Sequence, residues 1–153
     1  MPNKNKNTEV PQCVQTDVSV SVTETRVGNL IFNDYGEIQP IYGIDEKSIL
    51  TKVDVNGWSI CFKPKGIPIT EEILLKIGFI KKDKIWSDKS VSKNIFFKEN
   101  YFIEFSREGI LFCQLHYSGN ARFLKNIEYI HQLQNLYFAL KSSELQVSCL
   151  TEH

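Results

Sequence analysis

Asn56-Gly57 stands between two alternating runs, "SILTKVDV" and "WSICFKP". Both positions of an Asn-Gly pair accept positive φ, which a two-residue hairpin turn demands, so the flanking runs should fold back antiparallel. Two further short runs precede them, "RVGNLIF" and "IQPIYGI", separated by the turn-rich "NDYGE". Short strands at this spacing predict a small antiparallel sheet or an SH3-like β region.

A helix signal follows. In "GIPITEEILLKIGF", Thr70 is placed to cap a helix, Glu71 and Glu72 suit its positive end, and Gly78 marks its stop. Ile69 and Leu74 have staple spacing. Such a helix is about two turns long, so packing must hold it. The chain then returns to strand patterns in "FIKKDKIWS", "NIFFK", "YFIEFS" and "ILFCQLHY", with turns at Asn100 and Arg107–Gly109. A last helix is predicted over about 127–140. The expected class is therefore α+β: an antiparallel β region, a short helix, further antiparallel strands and a C-terminal helix. One domain is expected over 26–147, with a β sub-lobe at 26–64 and a tail at 148–153. Residues 1–25 are expected to form a flexible leader or arm that is dispensable for folding. Within it "DVSVSVTETRV" alternates, placing Val18, Val20 and Val22 on one face as in a strand.

Composition excludes several classes. The 153 residues are 42% hydrophobic, enough for a core. Charge is balanced, with 18 basic and 18 acidic residues, so no global field draws the chain to nucleic acid or an acidic membrane. No apolar run approaches the length of a membrane span. Cys13, Cys61, Cys113 and Cys149 are widely separated and form no metal-ligand ladder, which points to reduced thiols. No P-loop, HExxH or GxSxG is present, so no catalytic residue, metal site or cofactor is expected. Cys113 and His116 are tempting as nucleophile and base, but residues three apart in a strand point to opposite faces. Asp34, Glu37, Asp45 and Glu46 fall in turns, where solvated carboxylates are ordinary.

The last helix carries the most polar detail. In "YIHQLQNLYFAL", Tyr129, Ile130, Leu133, Leu136, Tyr137 and Leu140 share one half of the helical wheel. Glu128, His131, Gln132 and Asn135 cluster on the other half and are candidates for a hydrogen-bonding patch toward a protein partner or a second copy. Gln134 falls among the apolar residues and should be buried, bonded to the backbone of a neighbouring strand. A weaker candidate surface for a ligand or nucleic acid is Lys81, Lys82, Lys84 and Trp86, with Trp58 as a further aromatic. The segment 81–98 holds six lysines against two aspartates. It lacks the arginines that dominate phosphate and base contacts, which argues against nucleic acid.

Three stretches, "RVGNLIF", "GIPITEEILLKIGF" and "IEYIHQLQNLYFAL", together resemble a family of small uncharacterised proteins of gut Bacteroidetes, their prophages and their phages. The family's patterns are Arg-[IV]-Gly-Asn, Ile-Pro-[LI]-Thr-Glu-Glu and His-Gln-Leu-Gln-Asn-Leu-Tyr-Phe-Ala-Leu, and the likeness covers about residues 26–145. The 25-residue leader departs from the pattern, as does "KSSEL", where relatives have Thr-Gly-Glu-Glu-Leu. The resemblance implies a phage or mobile-element origin and no transferable activity. The expected function is a non-catalytic accessory protein that binds another protein, in the host cytoplasm or the virion. The alternative is a small-ligand-binding protein, for example one sequestering a host nucleotide signal, built from parts such as Tyr35, Tyr42, Trp58, Trp86 and Lys65.

Overall fold

The computed structural model describes residues 19–54, 57–85 and 91–151. Two antiparallel meanders make up the fold. The first runs β1 (Leu30–Phe32), β2 (Ile38–Ile44), β3 (Ile49–Asp54) and β4 (Gly57–Cys61), with neighbours in sequence paired in space. The second runs β5 (Ile80–Ile85), β6 (Val91–Lys98), β7 (Tyr101–Ser106), β8 (Gly109–Leu115) and β9 (Ala121–Asn126). Helix α1 (Glu71–Lys76) joins the meanders and α2 (Ile130–Lys141) follows the second. This is the α+β class expected from the sequence, with antiparallel pairing throughout both sheets.

The first sheet curls. After β4 the chain crosses to β1, where Phe32 and Lys65 exchange both backbone hydrogen bonds at 2.9 and 3.1 Å. Ile31, Ile41, Ile49 and Cys61 fill its interior. Asp54 faces Gly57 in the β3–β4 hairpin, and Asn56 itself lies outside the described residues.

Alternation divides the second sheet into two faces. Phe96, Ile103 and Phe112 lie abreast and join the main core, together with Leu74 of α1, Leu133 and Tyr137 of α2, and Leu30 and Ile67. Ile95, Phe102 and Cys113 form a small cluster on the opposite face. The α1 signals hold: Thr70 Oγ accepts the Ile73 N–H, and Gly78 takes φ +85° where the helix stops.

Four local expectations are corrected. Residues 19–24 do not continue a strand. Ser19 makes a single bridge to Lys65, Val20 is buried, and 22–24 form a 3-10 turn. Ser21 Oγ accepts the Thr23 N–H, and that local bond competes with extended pairing. The strand β9 was not expected; its side chains are mostly exposed and its apolar residues Phe123 and Leu124 are adjacent, so it lacks an apolar alternation. Helix α2 begins at Ile130 rather than 127. Residues 127–129 are held extended: the Ile127 N–H donates to Ile110, the Ile69 N–H to Glu128, and Tyr129 bridges Pro68. The supposed tail packs instead, with Leu150 buried and Cys149 Sγ donating to the Lys76 carbonyl.

Candidate functional site

The stretches 26–32, 66–79 and 127–140 meet in space. Gln134 is 1% exposed; its Oε1 accepts the Leu30 N–H at 2.8 Å and its Nε2 donates to the Gly28 carbonyl at 3.2 Å. The expected buried amide is there, bonded to the backbone at and just before β1. Beside it, Arg26 Nε donates to Asn135 Oδ1 at 2.8 Å, and the two guanidinium NH2 groups form a fork with the Glu144 carboxylate at 2.7 Å each. That guanidinium also lies 4.3 Å from the Phe138 ring centroid. The middle stretch closes the other end of α2, where the Ile130 N–H donates to the Ile67 carbonyl at 2.9 Å. Gly66 is needed there: a Cβ on it would sit 2.4 Å from Tyr129 Cδ1. These motif residues serve the fold's closure.

The proposed α2 patch is therefore not a free polar face. His131 was expected outside and is 1% exposed. Its ring stacks on Tyr129 at 5.8 Å and 13°, and burial pushes its pKa down to about 4. The wheel failed for His131 because it shows the helix alone, and the Tyr129 ring just before the helix lies over the imidazole. Asn135 is half-buried, accepting from Arg26 and donating from Nδ2 to the Glu24 carbonyl at 2.8 Å. Half-buried Gln132 turns back to the helix start, its Oε1 accepting the Glu128 and Tyr129 N–H groups. Of the four, Glu128 remains exposed. Gln132 and Asn135 line a groove of about 280 Å³ with Glu24, Lys125 and Leu136.

The lysine surface is likewise dispersed. Lys81 Nζ pairs with Glu71 at 2.7 Å, Lys84 Nζ donates to the Gly119 carbonyl at 3.4 Å, and Lys82 is exposed. Trp58 stands on the other sheet against Tyr42, and Trp86 lies outside the described residues.

Cys61 and Cys113 are buried, and desolvation raises each thiol to about 11, so both stay protonated at neutral pH. Among the described residues no group of His, Cys, Asp and Glu is arranged to hold a metal, and no helix is long and apolar enough to cross a membrane. Asp45 caps its own turn, accepting from Lys47 N, Ser48 N and Ser48 Oγ.

The feature sequence reasoning missed is the exposed apolar face of β4. Its alternate residues Trp58 and Ile60 are 64% and 47% exposed, and Phe62 just beyond is 73% exposed. Tyr42 packs edge-on to Trp58 at 4.9 Å, extending the apolar stripe. The alternation in "WSICF" was legible as a strand, but which face met solvent depended on the curl of the sheet. The chain matches no known family model, and neither curated proteins nor solved structures show a significant likeness to it.

Proposed function

We propose that this chain is a non-catalytic phage or prophage accessory protein that acts by binding another protein, in the host cytoplasm or in the virion. The family resemblance supports the origin. The edge of β4, with which no described residue pairs, supports the mode of action.

Exposed sheet edges are sites of unwanted pairing, and proteins blunt them with charge, proline or a covering segment. Of the four sheet edges among the described residues, β1 is closed by Lys65. Edge β5 carries Lys81, Lys82, Asp83 and Lys84, and β9 carries Arg122 and Lys125. Edge β4 reads Gly57-Trp58-Ser59-Ile60-Cys61, with no charge and no proline, and no described residue pairs with its outer side. Such an edge accepts an extended strand from a partner through main-chain bonds, while Trp58 and Ile60 receive alternate side chains. Exposed aromatic clusters of this kind mark interaction surfaces.

The test is affinity capture from infected host lysate by the wild type and by Trp58→Lys/Ile60→Lys, which gives β4 the charge of the other edges. Both side chains are largely exposed, so the melting temperature should hold while the captured partner is lost. Equal capture by the folded variant would refute docking at β4.

A further inference from the structure

We infer that β4 pairs antiparallel with β4 of a second copy of this chain, the two related by a two-fold axis beside Ser59. This pairing rests on the reading of β4 as a docking edge and names the strand that occupies it. A strand from another protein then competes with the second copy for one edge.

The register follows from what limits the strand at each end. Asp34 accepts the Phe62 N–H at 3.1 Å and the Lys63 N–H at 2.9 Å, so main-chain pairing along β4 ends before Phe62. At its start Gly57 faces Asp54, where the hairpin turns. Gly57–Cys61 is the stretch left to pair. A two-fold interface presents the same residues from both copies, and over this stretch that centres on Ser59. Trp58 then lies opposite Ile60 of the second copy, twice over, and Gly57 lies opposite Cys61.

That register matches side chains as well as backbones. An aromatic ring against a β-branched residue is a favourable cross-strand pair. Trp58 and Ile60 are both exposed, and Tyr42 extends the stripe beside Trp58. Phe62 shares a groove wall with Ile60 and falls diagonal to Trp58 of the second copy, a separation of about 7–8 Å that aromatic side chains reach across. The exposed stripe of each copy thereby covers that of the other.

Charge singles out this edge. A second copy at β5 would set Lys81, Lys82 and Lys84 against their own kind, and at β9 Arg122 would meet Lys125. Like charges directly opposite disfavour pairing. Gly57–Phe62 carries no charge, so β4 meets its own copy without that repulsion.

Size sets the strength. At about 200 Å² for a large side chain, the exposed parts of Trp58, Ile60 and Phe62 come to roughly 370 Å² per copy. Both copies with their paired backbones stay below the ~1,200 Å² at which stable interfaces begin. The pair is therefore weak and reversible, with a dissociation constant on the order of 10–100 µM.

The experiment is sedimentation equilibrium of the full chain under reducing conditions, over about 5–500 µM to bracket that constant. The expected result is a monomer–dimer equilibrium. Trp58→Lys/Ile60→Lys should weaken it at least about tenfold with the melting temperature unchanged, since both side chains are largely exposed. Ser59→Cys reads the register. Opposed residues of an antiparallel pair have Cα atoms about 4.5–5.5 Å apart, within disulfide reach. Under mild oxidation this variant should become a covalent dimer faster than the wild type or Lys82→Cys. A wild type that stays monomeric throughout, a dimer that the folded double variant retains, or Ser59→Cys linking no faster than Lys82→Cys overturns the pairing. A monomeric wild type whose captured partner is still lost in the double variant overturns self-pairing and leaves β4 as the dock for another protein. A dimer at β4 with capture unchanged in the double variant supports self-pairing and removes docking of another protein there.

Discussion

The backbone N–H of Leu30 donates to the side-chain oxygen of Gln134 at 2.8 Å, across 104 positions of sequence, with both groups buried. Removing that amide strands the Leu30 donor and the Gly28 acceptor together. Gln134→Ala should therefore cost about 2–3 kcal/mol. Gln134→Leu, which keeps the volume, should cost a similar amount. Chemical denaturation measures both, and an unchanged midpoint would show that water replaces the amide.

Gly66→Ala should destabilise by about 1–3 kcal/mol, because the added methyl overlaps the Tyr129 ring. The backbone at Gly66 is not in the left-handed region, so the effect is steric alone. A double-mutant cycle with Tyr129→Ala tests this. In that background the Gly66→Ala cost should vanish, and additive costs would contradict the assigned clash.

His131 makes stability depend on pH. Its folded pKa of about 4 lies below its ordinary value of 6.5, so between these the unfolded chain binds the extra proton. The burial-linked stability is fully present above 6.5, declines as pH falls, and is lost below about 4. The drop should reach up to roughly 3 kcal/mol. His131→Leu should flatten the slope of stability between pH 6.5 and 4, as read from melts across that window.

A chain beginning at Thr25 should melt about 4–8 °C lower than the full chain, given ~2 kcal/mol of lost contacts. It lacks Val20, which is 6% exposed and donates its N–H to Pro64 at 2.8 Å. It also lacks the Glu24 carbonyl that holds Asn135. Val20→Ala alone should cost about 1–2 kcal/mol. An unaltered melting temperature for both would show that these contacts do not stabilise the domain.

Local signals were legible where a residue's own chemistry decides the outcome. Thr70 and Gly78 bound α1 as read, and the alternating runs around Asn56-Gly57 became β3 and β4. Gln134 was placed correctly because an amide amid apolar neighbours must find partners. His131 was misplaced by the same wheel, since a wheel shows one helix and not what lies over it. The edge β9 escaped because the backbone of β8 fixes it, with no apolar periodicity of its own. The contact of Asp34 with Phe62 and Lys63 joins residues nearly 30 positions apart, so no local pattern announces it.

Both meanders pair strands with their neighbours in sequence, whereas Arg26, Gln134, Asn135 and Glu144 join segments more than 100 residues apart. Closing so long a loop costs entropy that a few polar contacts repay only once both sheets exist. The clasp should then be absent from the folding transition state. Its loss would leave the folding rate nearly unchanged and hasten unfolding, making these four side chains the regulators of how long the molecule stays folded.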